Sequence, residues 1–127
     1  MNSFFLVGAG GALGAMGRYG TSVAFSRLGI TGFPYATMAV NVLGSVAMGL
    51  LIGFLAHATP AWQGEARLFV AIGLLGGFTT FSAFSLDAVA LFERHALLPA
   101  LGYVVASVVL SILGLFVGLL ITRLTLS

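Results

Sequence analysis

The residues best equipped for chemistry stand together in one apolar part of the chain, Gly76-Gly77-Phe78-Thr79-Thr80-Phe81-Ser82-Ala83-Phe84-Ser85-Leu86-Asp87. Two glycines, four hydroxyl residues and three phenylalanines are an odd mixture for a lipid-embedded helix. Hydrocarbon can satisfy neither a freed backbone carbonyl nor a lone hydroxyl. Gly76 and Gly77 weaken the helix, and Thr79, Thr80, Ser82 and Ser85 can bond to backbone carbonyls, so the composition predicts an opening or bend here. A mid-membrane break is tolerated only against protein or a water-lined cavity, which points to permeation or binding.

Further polar side chains fall on stripes. Thr37, Asn41 and Ser45 recur every four residues, as do Tyr103, Ser107 and Ser111, which puts each set on one helix face. Two readings compete for each. Asn41 either makes an interhelical hydrogen bond or lines a pore; the serines either bond back to their own helix or offer donors to an anion. Phe81 and Phe84, three apart, share a face. They either pack, or turn their electropositive ring edges to a small anion in place of part of its hydration. Arg18 either snorkels or caps a helix, or stands as a fixed positive charge at an anion pathway. Asp87 pairs with an arginine, caps a backbone group or serves transport directly. Asn41, Thr80, Tyr103, Ser107 and Ser111 make a face with almost no formal charge, better suited to guiding a small ion than to acid–base catalysis.

Four long apolar segments must position these groups, at residues 4–25, 35–55, 68–92 and 97–121. Each can cross a hydrocarbon core about 30 Å thick at about 1.5 Å per residue. Thr31-Gly32-Phe33-Pro34, Thr59-Pro60 and Glu93-Arg94-His95 punctuate the connections. The expected fold is an all-α integral membrane protein, one domain over residues 1–127, with four transmembrane helices and a break in the third. The spacing Gly10/Gly14 recurs as Gly49/Gly53, Gly73/Gly77 and Gly114/Gly118, one pair per segment, and predicts close helix packing. Gly8-Ala9-Gly10-Gly11-Ala12-Leu13 lacks the last glycine of a dinucleotide-binding loop and has no room for a preceding strand.

Composition closes off other classes. With 60% hydrophobic and 6% charged residues, and a mean hydropathy of +1.16, the 127-residue chain lies far from soluble domains. The net charge of +2 rests on five arginines and three acids, too few for a nucleic-acid surface. Without cysteine there is no thiol chemistry or disulfide, and His57 and His95 fall in or beside loops rather than in a ligand cluster. No lysine or arginine precedes the first segment, which reads as a first span rather than a cleaved signal.

Four spans would leave Arg67 and Arg123 near one membrane face and Arg27 and Arg94 near the other, with Arg18 deeper. The positive-inside rule then gives no decisive orientation. Four thin helices can hardly enclose a polar pathway alone, whereas oppositely inserted copies could pair about an axis in the membrane plane, so an antiparallel homodimer is expected.

Along essentially its whole length the chain resembles the Fluc (also called CrcB) fluoride channels of bacteria. The resemblance runs from Gly-Ala-Leu-Gly-Ala-Met-Gly-Arg18 through Asn41-Val42-Leu43-Gly44 and the more specific Gly76–Phe84 stretch to Tyr103, Ser107 and Ser111. It implies a dual-topology antiparallel homodimer in the bacterial inner membrane, with two pores that export fluoride passively and exclude chloride. It further implies that Phe81 and Phe84 turn ring edges to the ion, that Asn41 is a pore asparagine, that Tyr103, Ser107 and Ser111 form a polar track and that Arg18 lies near the vestibule. A structural sodium ion at the dimer centre would be held by the backbone carbonyls of Gly76 and Thr79. Ala83 departs from the family's usual threonine, which removes a hydroxyl and leaves both rings in register.

Two other classes fit less well. A small dual-topology multidrug exporter would be expected to carry a glutamate in its first helix, and segment one has no acid. An accessory subunit without transport would account for the glycine pairs but not for polar stripes in three helices.

Overall fold

The computed structural model describes residues 2–127. Helix α1 (Asn2–Arg27) and helix α2 (Tyr35–Ala58) come first. Helix α3 spans residues 63–78 as an α-helical turn, a π-helical stretch over Arg67–Leu75 and a last turn at Gly76–Phe78. After two extended residues, α4 (Phe81–Glu93) continues, and α5 (Leu97–Leu126) ends the chain.

The turns follow from local chemistry. Gly29 takes a positive φ of 77° after α1, where a side chain would be strained. Pro34 precedes the first residue of α2, and that helix closes on Thr59 in the left-handed region, whose N–H donates to the Leu55 carbonyl at 2.9 Å. Pro60 follows and cannot continue the helix.

Three stretches among the described residues are long and apolar enough to cross a membrane: Tyr35–Ala58, Gln63–Glu93 and Leu97–Leu126. The sequence reading counted four. Helix α1 has the length, 26 residues or about 39 Å, but glycine, serine and threonine replace much of the leucine of the others, and Arg18 lies within it.

The glycine pairs sort the helices into two couples. A methyl group added at Gly10 would collide with the backbone of Phe69 and Leu74, and one at Gly14 with that of Leu74 and Phe78; from the other side, Gly77 meets the backbone of Gly11. Helix α1 therefore lies directly on α3. Gly49 meets the backbone of Leu115 and Gly118, Gly118 that of Val46 and Leu50, and Gly53 the side chain of Thr122, which couples α2 to α5. Lipid tails are as apolar as leucine, so van der Waals contact between bare backbones has to hold such helices together. Helix α4 joins the second couple through Phe84, Leu91, Ala100 and Tyr103.

The π-helical stretch had no sequence signal. Beyond Arg67 it is apolar, and it sits where Gly73 is pressed against Val7 and Gly10. Such i→i+5 segments are rare and gather at functional sites.

Candidate ion pathway

The helix stops at Phe78 because Thr79 (φ −81°, ψ 158°) and Thr80 (φ −153°, ψ 121°) are extended. Each threonine has a distinct local task. Thr79 donates its hydroxyl to the Leu75 carbonyl at 2.9 Å and finishes α3, while Thr80 caps α4 by accepting the Ala83 N–H at 3.1 Å. Asn41 reaches across from α2. Its Oδ1 accepts the Thr80 N–H at 2.7 Å and its Nδ2 donates to the Thr80 carbonyl at 3.0 Å. From the opposite side, Arg18 of α1 donates Nε–H to the Gly77 carbonyl at 3.1 Å.

Carbonyls beside the gap lose their helical donors as a result, those of Gly76 and Thr79 among them. A continuous helix would give the Thr80 N–H to Gly76 and the Ala83 N–H to Thr79. Here the first goes to Asn41 and the second to the Thr80 hydroxyl.

Beside the break lies a cavity of about 380 Å³, open on one side. Asn41, Thr80, Phe81, Phe84, Ser107 and Ser111 line it, together with Thr79 and the Ser45 of the α2 stripe. Most of the expected residues thus meet at one place. The two rings differ sharply: Phe84 is 7% exposed and Phe81 76%, with centroids 5.4 Å apart. Phe84 belongs to the wall, and Phe81 stands at the open side. The Ser107 hydroxyl is buried, with no hydrogen-bond partner among the described residues. A buried unpaired hydroxyl is costly and marks a place where something else supplies the partner.

Tyr103 does not line this cavity. It is fully buried behind Phe84, with ring centroids 5.2 Å apart, and its hydroxyl donates to Asp87 Oδ2 at 3.2 Å. Beyond it, Phe33 stands edge-on to the Tyr103 ring at 5.5 Å and close to Tyr35 at 4.7 Å. A line of aromatic rings therefore runs from Phe81 to the α1–α2 loop. Phe33 was missed in the sequence, where nothing separates it from an ordinary loop phenylalanine. Among the described residues Asp87 finds neither of the partners expected for it, an arginine or a backbone group; the phenol of Tyr103 takes that place. It also borders a second, more polar cavity of about 420 Å³ with Thr37 and Arg94, beneath that loop.

A gapped helix between two glycine-coupled pairs, with hydroxyls, an amide and two phenylalanine rings around a nearly charge-free cavity, defines a helical membrane protein built to pass or hold a small polar species. The CrcB family, described as CrcB-like protein, camphor resistance, matches residues 5–119, and the chain belongs to it. Proteins named "Fluoride-specific ion channel FluC" are similar over nearly the full length of both partners. That of Mesorhizobium japonicum is 50% identical over 97% of this chain and 98% of its own. Those of Rhodospirillum centenum and Chelativorans are 51% and 54% identical, each over 97% of this chain and over 97% and 98% of their own. These relatives are ion channels, not enzymes.

Proposed function

We propose that this chain is a fluoride-selective channel that lets fluoride leave the bacterial cytoplasm passively across the inner membrane and so protects against fluoride toxicity. The observation that carries this reading is the near-complete match to relatives named as fluoride-specific channels. The cavity supplies suitable chemistry. Fluoride is small and strongly hydrated, so its pathway must offer donors and ring edges while binding weakly enough to release it. Ser107 and Ser111 offer hydroxyls, Asn41 keeps one N–H beyond those Thr80 uses, and Phe81 and Phe84 offer edges. Thr80 borders the same space, Tyr103 continues the track behind Phe84, and Arg18 stands at the break, its Nε–H bonded to the Gly77 carbonyl.

The working unit is an antiparallel homodimer with two pores, with α1 as the fourth span of each copy. The cavity's open side and the exposed Phe81 ring on it support this, because a second copy would close the pathway. A sodium ion at the dimer centre fits the donor set: the carbonyls of Gly76 and Thr79, deprived of helical donors, are hard oxygen ligands of the kind sodium prefers. Its charge would favour anions nearby.

Expression in a bacterium stripped of its own fluoride export should restore growth on fluoride, and a C-terminal tag should be reachable from both membrane faces. Growth no better than with an empty vector contradicts the export function. A tag on one face only contradicts dual topology.

A further inference from the structure

The hydrogen bonds around Thr79 and Thr80 give Asn41 and Arg18 a task distinct from meeting an ion. In a continuous helix the Thr80 N–H would pair with the Gly76 carbonyl, and the Phe81 N–H with the Gly77 carbonyl. The break removes both bonds. Asn41 takes the Thr80 N–H, and Arg18 donates to the Gly77 carbonyl. One side chain from α2 and one from α1 thus replace, on opposite sides of the gap, partners that the helix has lost.

The Asn41 contact is two-pronged. Its amide meets Thr80 as a neighbouring strand would, accepting the N–H at 2.7 Å and donating to the carbonyl at 3.0 Å. Only one orientation of the amide satisfies both, so the pairing also fixes which atom faces the cavity. Both backbone groups of an extended residue at membrane depth would otherwise be orphaned. Thr80 is the cap of α4 and Phe81 is that helix's first residue, so the backbone of Thr80 aims the Phe81 ring.

We infer that Asn41 and Arg18 are positioning residues that clamp the backbone on the two sides of the helix break, at Thr80 and Gly77, and thereby set the Phe81 ring. This deepens the fluoride-pathway reading and rests on it for its functional consequence. It also assigns the working atom of Arg18: Nε, rather than the charge of the guanidinium as a whole.

Two measurements test this. Glutamine places its Nε2 as many bonds from the backbone as arginine places Nε, so Arg18→Gln retains a donor and loses the charge, whereas Arg18→Met loses both at similar length. Fluoride efflux from liposomes should stay within about threefold of the parent in Arg18→Gln and fall about tenfold or more in Arg18→Met, the loss expected for an orphaned, part-buried carbonyl. Equal losses in the two variants would overturn the Arg18 half. For Asn41, the chain contains one Thr-Phe sequence, Thr80-Phe81, so labelling with carbonyl-¹³C threonine and ¹⁵N phenylalanine isolates the Thr80 carbonyl by magnetic resonance. Asn41→Leu keeps the size of the side chain and loses both the acceptor and the donor. The Thr80 carbonyl signal should move upfield in Asn41→Leu and Asn41→Ala alike, and an unmoved signal would overturn the Asn41 half. The carbonyl signal reads the clamp whether or not fluoride passes, so absence of flux in the parent would contradict the proposed function alone.

Discussion

Tyr103 of α5 donates its hydroxyl to Asp87 of α4 at 3.2 Å, joining the polar end of the aromatic line to an acid that stands within an apolar helix. Tyr103 is fully buried while Asp87 is half-buried beside the polar cavity, so the phenol depends on this bond for its partner. Tyr103→Phe should therefore destabilise the protein by about 1–3 kcal/mol. Adding Asp87→Leu should recover much of the loss, because both polar partners are then gone. Thermal unfolding in detergent of the two single variants and the pair checks this; strictly additive losses would contradict the coupling.

Ser107 is a different case, because its buried hydroxyl has no partner among the described residues. Removing it with Ser107→Ala should leave the melting temperature unchanged or raise it, since an unsatisfied buried hydroxyl costs about 1–3 kcal/mol. Fluoride efflux should nevertheless fall several-fold. Melting and efflux measured on one preparation separate the two effects, and a large loss of stability would show that Ser107 is structural.

Phe81 stands at the other extreme of burial from Ser107. It is 76% exposed at the open side of the cavity, so Phe81→Ile gives up little packing within one copy while removing the ring edge. Fluoride flux should be abolished or sharply reduced, with the proposed dimer intact by size-exclusion chromatography. Undiminished flux would remove Phe81 from the pathway.

Glycines separate into two kinds. Gly49 and Gly118 meet the backbone of the facing helix, so Gly49→Val or Gly118→Val should force α2 and α5 apart, at a cost of about 1–3 kcal/mol or more. Gly20 and Gly102 have nothing nearby, and alanine there should stabilise by a few tenths to about 1 kcal/mol through helix propensity. Detergent melting curves distinguish the classes.

Local chemistry made the helices readable. Segment two was expected at residues 35–55 and its helix is Tyr35–Ala58; segment four was expected at 97–121 and its helix is Leu97–Leu126. Pro34 and the Thr59-Pro60 pair mark ends regardless of tertiary context. The glycine pairs announced close packing, but not which helices would pair, because each pair is equally compatible with any other until the chain is folded. Apolar runs look alike whether they wind as α- or π-helix, and the Arg67–Leu75 stretch stayed hidden for that reason. At the site, a polar stripe marked Asn41 as a group that needs either an interhelical bond or a pore, whereas the partner it finds is a long-range fact. Asn41 meets a backbone 39 residues away, and Asp87 meets a phenol 16 residues away. Helix periodicity says nothing about either distance.

The central claim is selective passage of fluoride, and efflux from liposomes tests it most directly. Purified protein would be reconstituted with potassium fluoride or potassium chloride inside, and valinomycin added to dissipate the charge. Rapid loss of fluoride with negligible loss of chloride is the predicted result. Retention of both ions, or equal loss of both, would contradict the account.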